Sequence, residues 1–155
     1  MQKITTFLTF NDQAEEAANF YVSLFKNSRI TNVTHYGDAL PEMKGKVMSV
    51  SFQLEGQDFM ALNGGSQFKF SSGISLFVNC QSQAEVDELW AKLTEGGEEE
   101  PCGWLKDRYG VSWQIIPAAL SELLQEKDAE KARRVVSDLL QMKKIDINRL
   151  QQAKG

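Results

Sequence analysis

The 155-residue sequence predicts a single α+β domain. Two strand–helix–strand–strand–strand (βαβββ) modules form a curved, half-open mixed β-sheet barrel with flanking helices, followed by carboxy-terminal helices. Three observations carry this prediction. The stretches Ile4 to Phe25 and Gly73 to Leu93 each read as an apolar strand ending in Asn (Asn11, Asn79) and then a helix opening on Gln-Ala-Glu. Each of those helices is followed by three strand-like segments. From Ala118 onward strand alternation gives way to helical periodicity.

The first helix places Ala14, Ala17, Ala18, Tyr21 and Leu24 on one face, and the second does the same with Val86, Leu89, Trp90 and Leu93. Asp12 with Glu15, and Ser82 with Glu85, have the spacing of capping boxes. Gly96-Gly97 supplies a left-handed stop to the second helix. Strands are expected over 29–36, 46–54 and 58–62, with Glu55-Gly56 as a tight hairpin turn. The second set is expected over 99–102, 104–107 and 111–116, ending at Pro117. The modules then span about 1–65 and 72–117, and neither has enough sheet to close a core alone. The concave side of the combined sheets is the natural ligand cavity. In the extension, 118–155, a short helix carries Leu120, Leu123 and Leu124. A longer one capped by Asp128 carries Ala132, Val135, Val136, Leu139 and Leu140 on a single face. Ile145, Ile147 and Leu150 form a last amphipathic turn or two. That apolar stripe needs burial against the sheets or a second subunit, while the basic groups around it read as a solvated face.

A formal net charge of −4 argues against a nucleic-acid partner. Apolar runs of a few residues exclude a helical membrane span, and the amino terminus shows no signal-peptide core. Cys80 and Cys102 have neither metal-type spacing nor the density of a disulfide framework, so a cytoplasmic chain with reduced thiols is expected.

The residues richest in chemistry lie in PCGWLKDRYGVSWQIIP, Pro101 to Pro117. Cys102 is a potential nucleophile with no histidine nearby to activate it, and a small buried hydrophobe is the plainer reading. Asp107 before the Tyr109-Gly110 turn is expected to bond backbone amides. Strand alternation puts Trp113 and Gln114 on opposite faces. The Asn63-Gly64-Gly65 turn follows a strand but leads into Ser66-Gln67-Phe68, not a helix. It therefore fails the test for a nucleotide-type glycine turn and reads as a flexible link between modules.

The paired modules and several stretches of text resemble the vicinal oxygen chelate superfamily, which includes glyoxalase I, extradiol dioxygenases and the bleomycin and fosfomycin resistance proteins. Within it the chain looks like the PhnB-like branch, labelled 3-demethylubiquinone-9 3-methyltransferase. The matching text is FLTFNDQAEEAANFYVSLF, ALNGG, FVNCQSQAEVDELWAKLTEGGEEEPCGWLKDRYGVSWQIIP and the KIDINRLQQA tail. Metal-dependent relatives imply ligands near Thr5, on Ala61 or Asn63, near Gly73 and on Gln114. Only Gln114 carries a donor of the family type, and the sole histidine, His35, falls elsewhere, so no divalent metal is expected. S-adenosylmethionine is implied only by the branch label.

The resemblance implies a cavity with Gln114 facing in and Trp113 packed beneath a helix. Phe7, Asn63, Trp104 and Gln114 are the expected ligand-binding residues, with Phe52 a further candidate; Gln114 and Cys102 are the candidates for any catalysis. The expected function is binding of a small planar or apolar metabolite by a homodimer without a family-type metal. The alternatives are an enzyme, either a methyltransferase as the label says or a metal-dependent lyase or isomerase, and a drug-sequestering resistance-type protein.

Overall fold

A computed structural model describes residues 2–155. The chain forms two compact units, Met1–Lys69 and Phe70–Gly155. The first contains β1 (Thr6–Phe10), α1 (Ala14–Leu24), β2 (Arg29–His35), β3 (Val47–Leu54) and β4 (Gln57–Asn63). Its sheet runs β1-β4-β3-β2, with β1 parallel to β4 and the other pairs antiparallel. Alternation sends Leu8, Phe10, Val50, Phe52 and Ala61 to the side covered by α1, where Ala14, Ala17, Ala18 and Tyr21 are buried against them. Small alanines let the helix approach closely, and Tyr21, Phe52 and Phe59 fill the remaining space as a tilted and stacked aromatic series. The Glu55-Gly56 hairpin forms as expected, both residues having positive φ (50° and 77°), which fits the right-handed twist of the flanking strands.

The second unit repeats the plan. It holds β5 (Ser75–Cys80), α2 (Gln83–Thr94), β6 (Glu98–Glu99), β7 (Trp104–Lys106) and β8 (Ser112–Pro117), with sheet order β5-β8-β7-β6 and β5 parallel to β8. Each four-stranded sheet keeps two edges, so neither closes into a barrel by itself. Val86, Leu89, Trp90 and Leu93 of α2 are buried, as their spacing predicts. Ser82 Oγ accepts the Glu85 amide at 3.2 Å, while the Glu85 carboxylate reaches back to the Gln81 amide.

Four local expectations need correction. Asp12 does not cap α1; Gln13 stands at the cap position without a side-chain bond, and Asn63 from β4 supplies the acceptor instead. The strand expected over 99–102 shrinks to the two-residue β6, because Pro101 opens a 3₁₀ turn over 101–103 with Cys102 left-handed (φ 62°). Gly64-Gly65 is no loose link. Both amides donate back to carbonyls of Phe10 and Asn11, and a Cβ at Gly64 would stand 2.7 Å from the Thr9 methyl. Along the helix Ala129–Leu139 the apolar stripe is narrower than its spacing suggests: Val135 is buried, but Val136 and, just past the helix end, Leu140 are exposed.

The extension forms α3 (Ala118–Leu124), α4 (Ala129–Leu139) and α5 (Ile147–Lys154). Asp128 and Asp146 cap α4 and α5 through their carboxylates. Leu120, Leu123, Val135, Met142, Ile145 and Leu150 pack with Ile116 of β8 into one apolar cluster, so the extension is buried against the second module. Among the described residues no helix is long and apolar enough to cross a membrane.

Candidate functional site

The register of the second sheet sorts its residues cleanly. Leu105 pairs with Trp113, and Val78 with Ile115, on the side covered by α2. On the open side, Phe77 of β5, Gln114 of β8 and Trp104 of β7 stand in one row across the strands. The adjoining row is Ser75, Ser112, Lys106 and Glu98. Phe77 is 55% exposed, whereas Gln114 and Trp104 are half-buried. Gln114 Nε2 donates to Ser75 Oγ at 2.9 Å, which fixes the amide and leaves its carbonyl oxygen as an acceptor. Ser112 is buried, and its hydroxyl has no partner among the described residues. The open face thus offers two aromatic surfaces around an oriented amide, beside a polar row with one lysine.

What holds this face in shape is the turn between β7 and β8. The buried Asp107 carboxylate accepts the Tyr109 and Val111 amides through Oδ1 (2.8 and 3.0 Å) and the Trp113 indole N–H through Oδ2 (2.9 Å). The backbone-bonding role expected for Asp107 is present, and it extends to the tryptophan. With Trp113 pinned beneath α2, period-two alternation turns Gln114 to the opposite face, as the sequence implied.

The other expected residues are distributed differently. Phe7 lies on the open side of the first sheet, half exposed, at the position in its module that Phe77 holds in the second. Asn63 faces the α1 side of that sheet. Its Oδ1 accepts the Ala14 amide at 2.8 Å and its Nδ2 donates to the Val47 carbonyl at 3.1 Å, so both ends of the amide serve the fold. Phe52 is buried against α1 and Phe59. Cys102 is not on the strand with Trp104 and Lys106; its amide is bonded to the Met142 carbonyl and its sulfur lies 3.7 Å from the Leu139 carbonyl oxygen. Cys80 is fully buried, and burial, aided by the Glu85 carboxylate, pushes its thiol up to about 12. Neither cysteine has the setting of an activated nucleophile. Ser75 and Phe77 were not expected from the sequence; the strand register reveals Phe77 as the counterpart of Phe7.

The residues present do not fit either group that the resemblance implied. Ala61 and Gly73 offer no donor, the Asn63 amide is engaged, and Gln114 offers a single carbonyl oxygen. Among the described residues no three His, Cys, Asp or Glu side chains are grouped to hold a metal. The Gly64 and Gly65 amides, which a nucleotide-type cofactor would need, are spent on backbone carbonyls.

Residues 2–116 match the family described as 3-demethylubiquinone-9 3-methyltransferase. The chain belongs to this family. A solved relative, the putative 3-demethylubiquinone-9 3-methyltransferase, PhnB protein, from Bacillus cereus, is 40% identical over 76% of this chain and all of its own, with a TM-score of 0.68. A Pseudomonas aeruginosa protein shares the fold at 24% identity and a TM-score of 0.63, covering 76% of this chain and 98% of its own. The fosfomycin resistance protein FosX of Listeria monocytogenes shares it at 17% identity and a TM-score of 0.58, covering 81% and 98%. Among curated proteins none matches significantly. The family match stops at residue 116, so the carboxy-terminal helices α3, α4 and α5 of this PhnB-family chain, including the KIDINRLQQA tail, lie beyond it.

Proposed function

We propose that this family member binds a small planar or apolar metabolite on the open face of its second sheet, without a resident metal. The observation that supports this most directly is the row Phe77–Gln114–Trp104, in which two aromatic side chains left out of the core flank an amide already oriented by Ser75. Aromatic faces supply apolar area with little entropy loss, and one fixed acceptor selects a ligand carrying a donor. Phe7 offers a similar surface in the first unit. Homodimerisation belongs to the same reading: Ile4 and Ile74, at matching positions of the two modules, are 87% and 78% exposed and suit a second copy. The free thiols Cys80 and Cys102 suit a reducing compartment such as the cytoplasm.

The test is titration of a panel of flat compounds (naphthol, quinoline, benzamide), followed by tryptophan fluorescence and calorimetry, on wild type, Gln114→Ala and Trp104→Ala. Binding that weakens in both variants supports the reading; binding unchanged in both sinks it. Turnover of a bound compound would favour the enzyme alternative over sequestration. A rise in thermal stability with S-adenosylmethionine would favour the transferase named by the family description.

A further inference from the structure

Helices α4 and α5 pack antiparallel enough to bring Arg134 to the Ala153 and Lys154 carbonyls, and Asp138 to Arg149. Between them runs an open groove with a volume of about 490 Å³, within the range of small-molecule sites. One wall is Arg133 and Ser137 of α4, one turn apart, with Gln141 in the turn that follows; the other is Arg149 and Gln152 of α5, also one turn apart. The lining holds three arginines against one aspartate, in a chain whose net charge is −4.

Arg133 and Arg149 are each held by one edge, while Arg134 also lies 3.8 Å from Glu130 through Nη1. Arg133 uses Nε and Nη2 on the Glu130 carboxylate, and Arg149 uses Nε and Nη2 on Asp138 Oδ1. Arg134 uses the same two nitrogens to close the last carbonyls of α5. A guanidinium carries five donors in a rigid plane, so fixing one edge orients the rest. The Nη1 groups of Arg133 and Arg149, on opposite walls, have no acceptor among the described residues, and both side chains are about half exposed or more (65% and 49%).

We infer that this groove is a second ligand site, separate from the sheet face, that takes a small organic phosphate monoester. A phosphate monoester brings three acceptor oxygens and nearly two negative charges at neutral pH, which matches arginines from two walls plus the Ser137 hydroxyl. A carboxylate brings only two oxygens and one charge. The lining also includes Gln141 and Gln152, which are left to contact the organic portion. Glu130, at the rim, competes for Arg133, so the site's affinity is set by how much of that guanidinium the ligand captures.

The experiment is calorimetric titration of the full chain with adenosine monophosphate, adenosine and inorganic phosphate, with phosphatidic-acid vesicles as a further arm. Adenosine monophosphate is expected to bind at least about tenfold more tightly than either half. Arg133→Gln should weaken it about tenfold, the scale of one charge-assisted bond. Glu130→Gln should tighten it severalfold, an effect that a purely structural ion pair would not give. Arg133 and Glu130 are exposed and bond mainly each other, so both variants fold. Equal binding of inorganic phosphate and the nucleotide, indifference to both substitutions, or capture by vesicles alone overturns the assignment.

Discussion

Replacing Asp107 by alanine should remove more stability than any other single polar change in the second unit. The carboxylate is 3% exposed and accepts three N–H groups at 2.8, 3.0 and 2.9 Å. Alanine leaves the Tyr109 and Val111 amides and the Trp113 indole without that acceptor, and an unsatisfied buried donor costs about 1–3 kcal/mol. Allowing for partial rescue by water and for coupling between neighbours, the loss should be about 3–5 kcal/mol. For a chain of this length that lowers the melting temperature by roughly 10 °C or more. Asp107→Asn should cost less, about 1–3 kcal/mol, since Oδ1 can still serve the backbone while the new amide faces the indole N–H. Urea denaturation followed by tryptophan fluorescence reads both values. A double-mutant cycle with Trp113→Phe isolates the indole bond. An Asp107→Ala midpoint within about 1 kcal/mol of wild type, at unchanged m-value, would refute the assignment of this carboxylate as the keystone of the hairpin.

Asn63→Ala should destabilise by about 1–2 kcal/mol, with Asn63→Asp milder because it keeps the acceptor for the Ala14 amide; thermal melts distinguish them. Gly97→Ala should fail to fold or unfold far below wild type, because its Cβ would collide with the Lys106 carbonyl and the Asp107 backbone; soluble yield and circular dichroism report this. Cys80 ties stability to alkaline pH. At neutral pH its thiol is protonated whether the chain is folded or not. As pH rises from about 9 toward about 12 the unfolded thiol ionises while the buried one does not, so unfolding is increasingly favoured. Cys80→Ala should flatten that fall in urea midpoint between pH 8 and 10.5.

The parts of the fold legible in the sequence are those governed by neighbours along the chain. Helical faces, the Glu55-Gly56 hairpin and the opposition of Trp113 and Gln114 all follow from periods of 3.6 and 2. Asp107 was legible because the backbone amides that donate to it lie two and four residues away. The illegible parts are set by contacts distant in sequence. Asn63 looked like a cavity residue because nothing local shows that it caps a helix 49 residues upstream. Cys102 looked like a strand residue until Pro101 and the Met142 carbonyl bent it into the left-handed region. Arg134 of α4 read as part of a solvated face, since its acceptors on α5 are 19 and 20 residues further on. Phe77 is a different case: the Gln-Ala-Glu match pairs it with Phe7, whereas the Asn11–Asn79 match pairs it with Thr9, and only the strand register decides between them.

The pairing of β1 with β4, and of β5 with β8, also sets an order of assembly. In each unit the strand made first is hydrogen-bonded only to the strand made last, Thr6 to Phe59 at one end of the first pair and Ser75 to Ser112 at one end of the second. Local hairpins can form while the leading strand still waits, and closing so long a loop is slow compared with hairpin formation. During synthesis, β1 stays unpaired until residue 63 has emerged and β5 until residue 117, immediately before the extension. Phe7 and Phe77 spend that interval on bare strands. The aromatic surface proposed to receive a ligand is therefore also the surface a nascent chain must keep from its neighbours, and the early strands are where misassembly would begin.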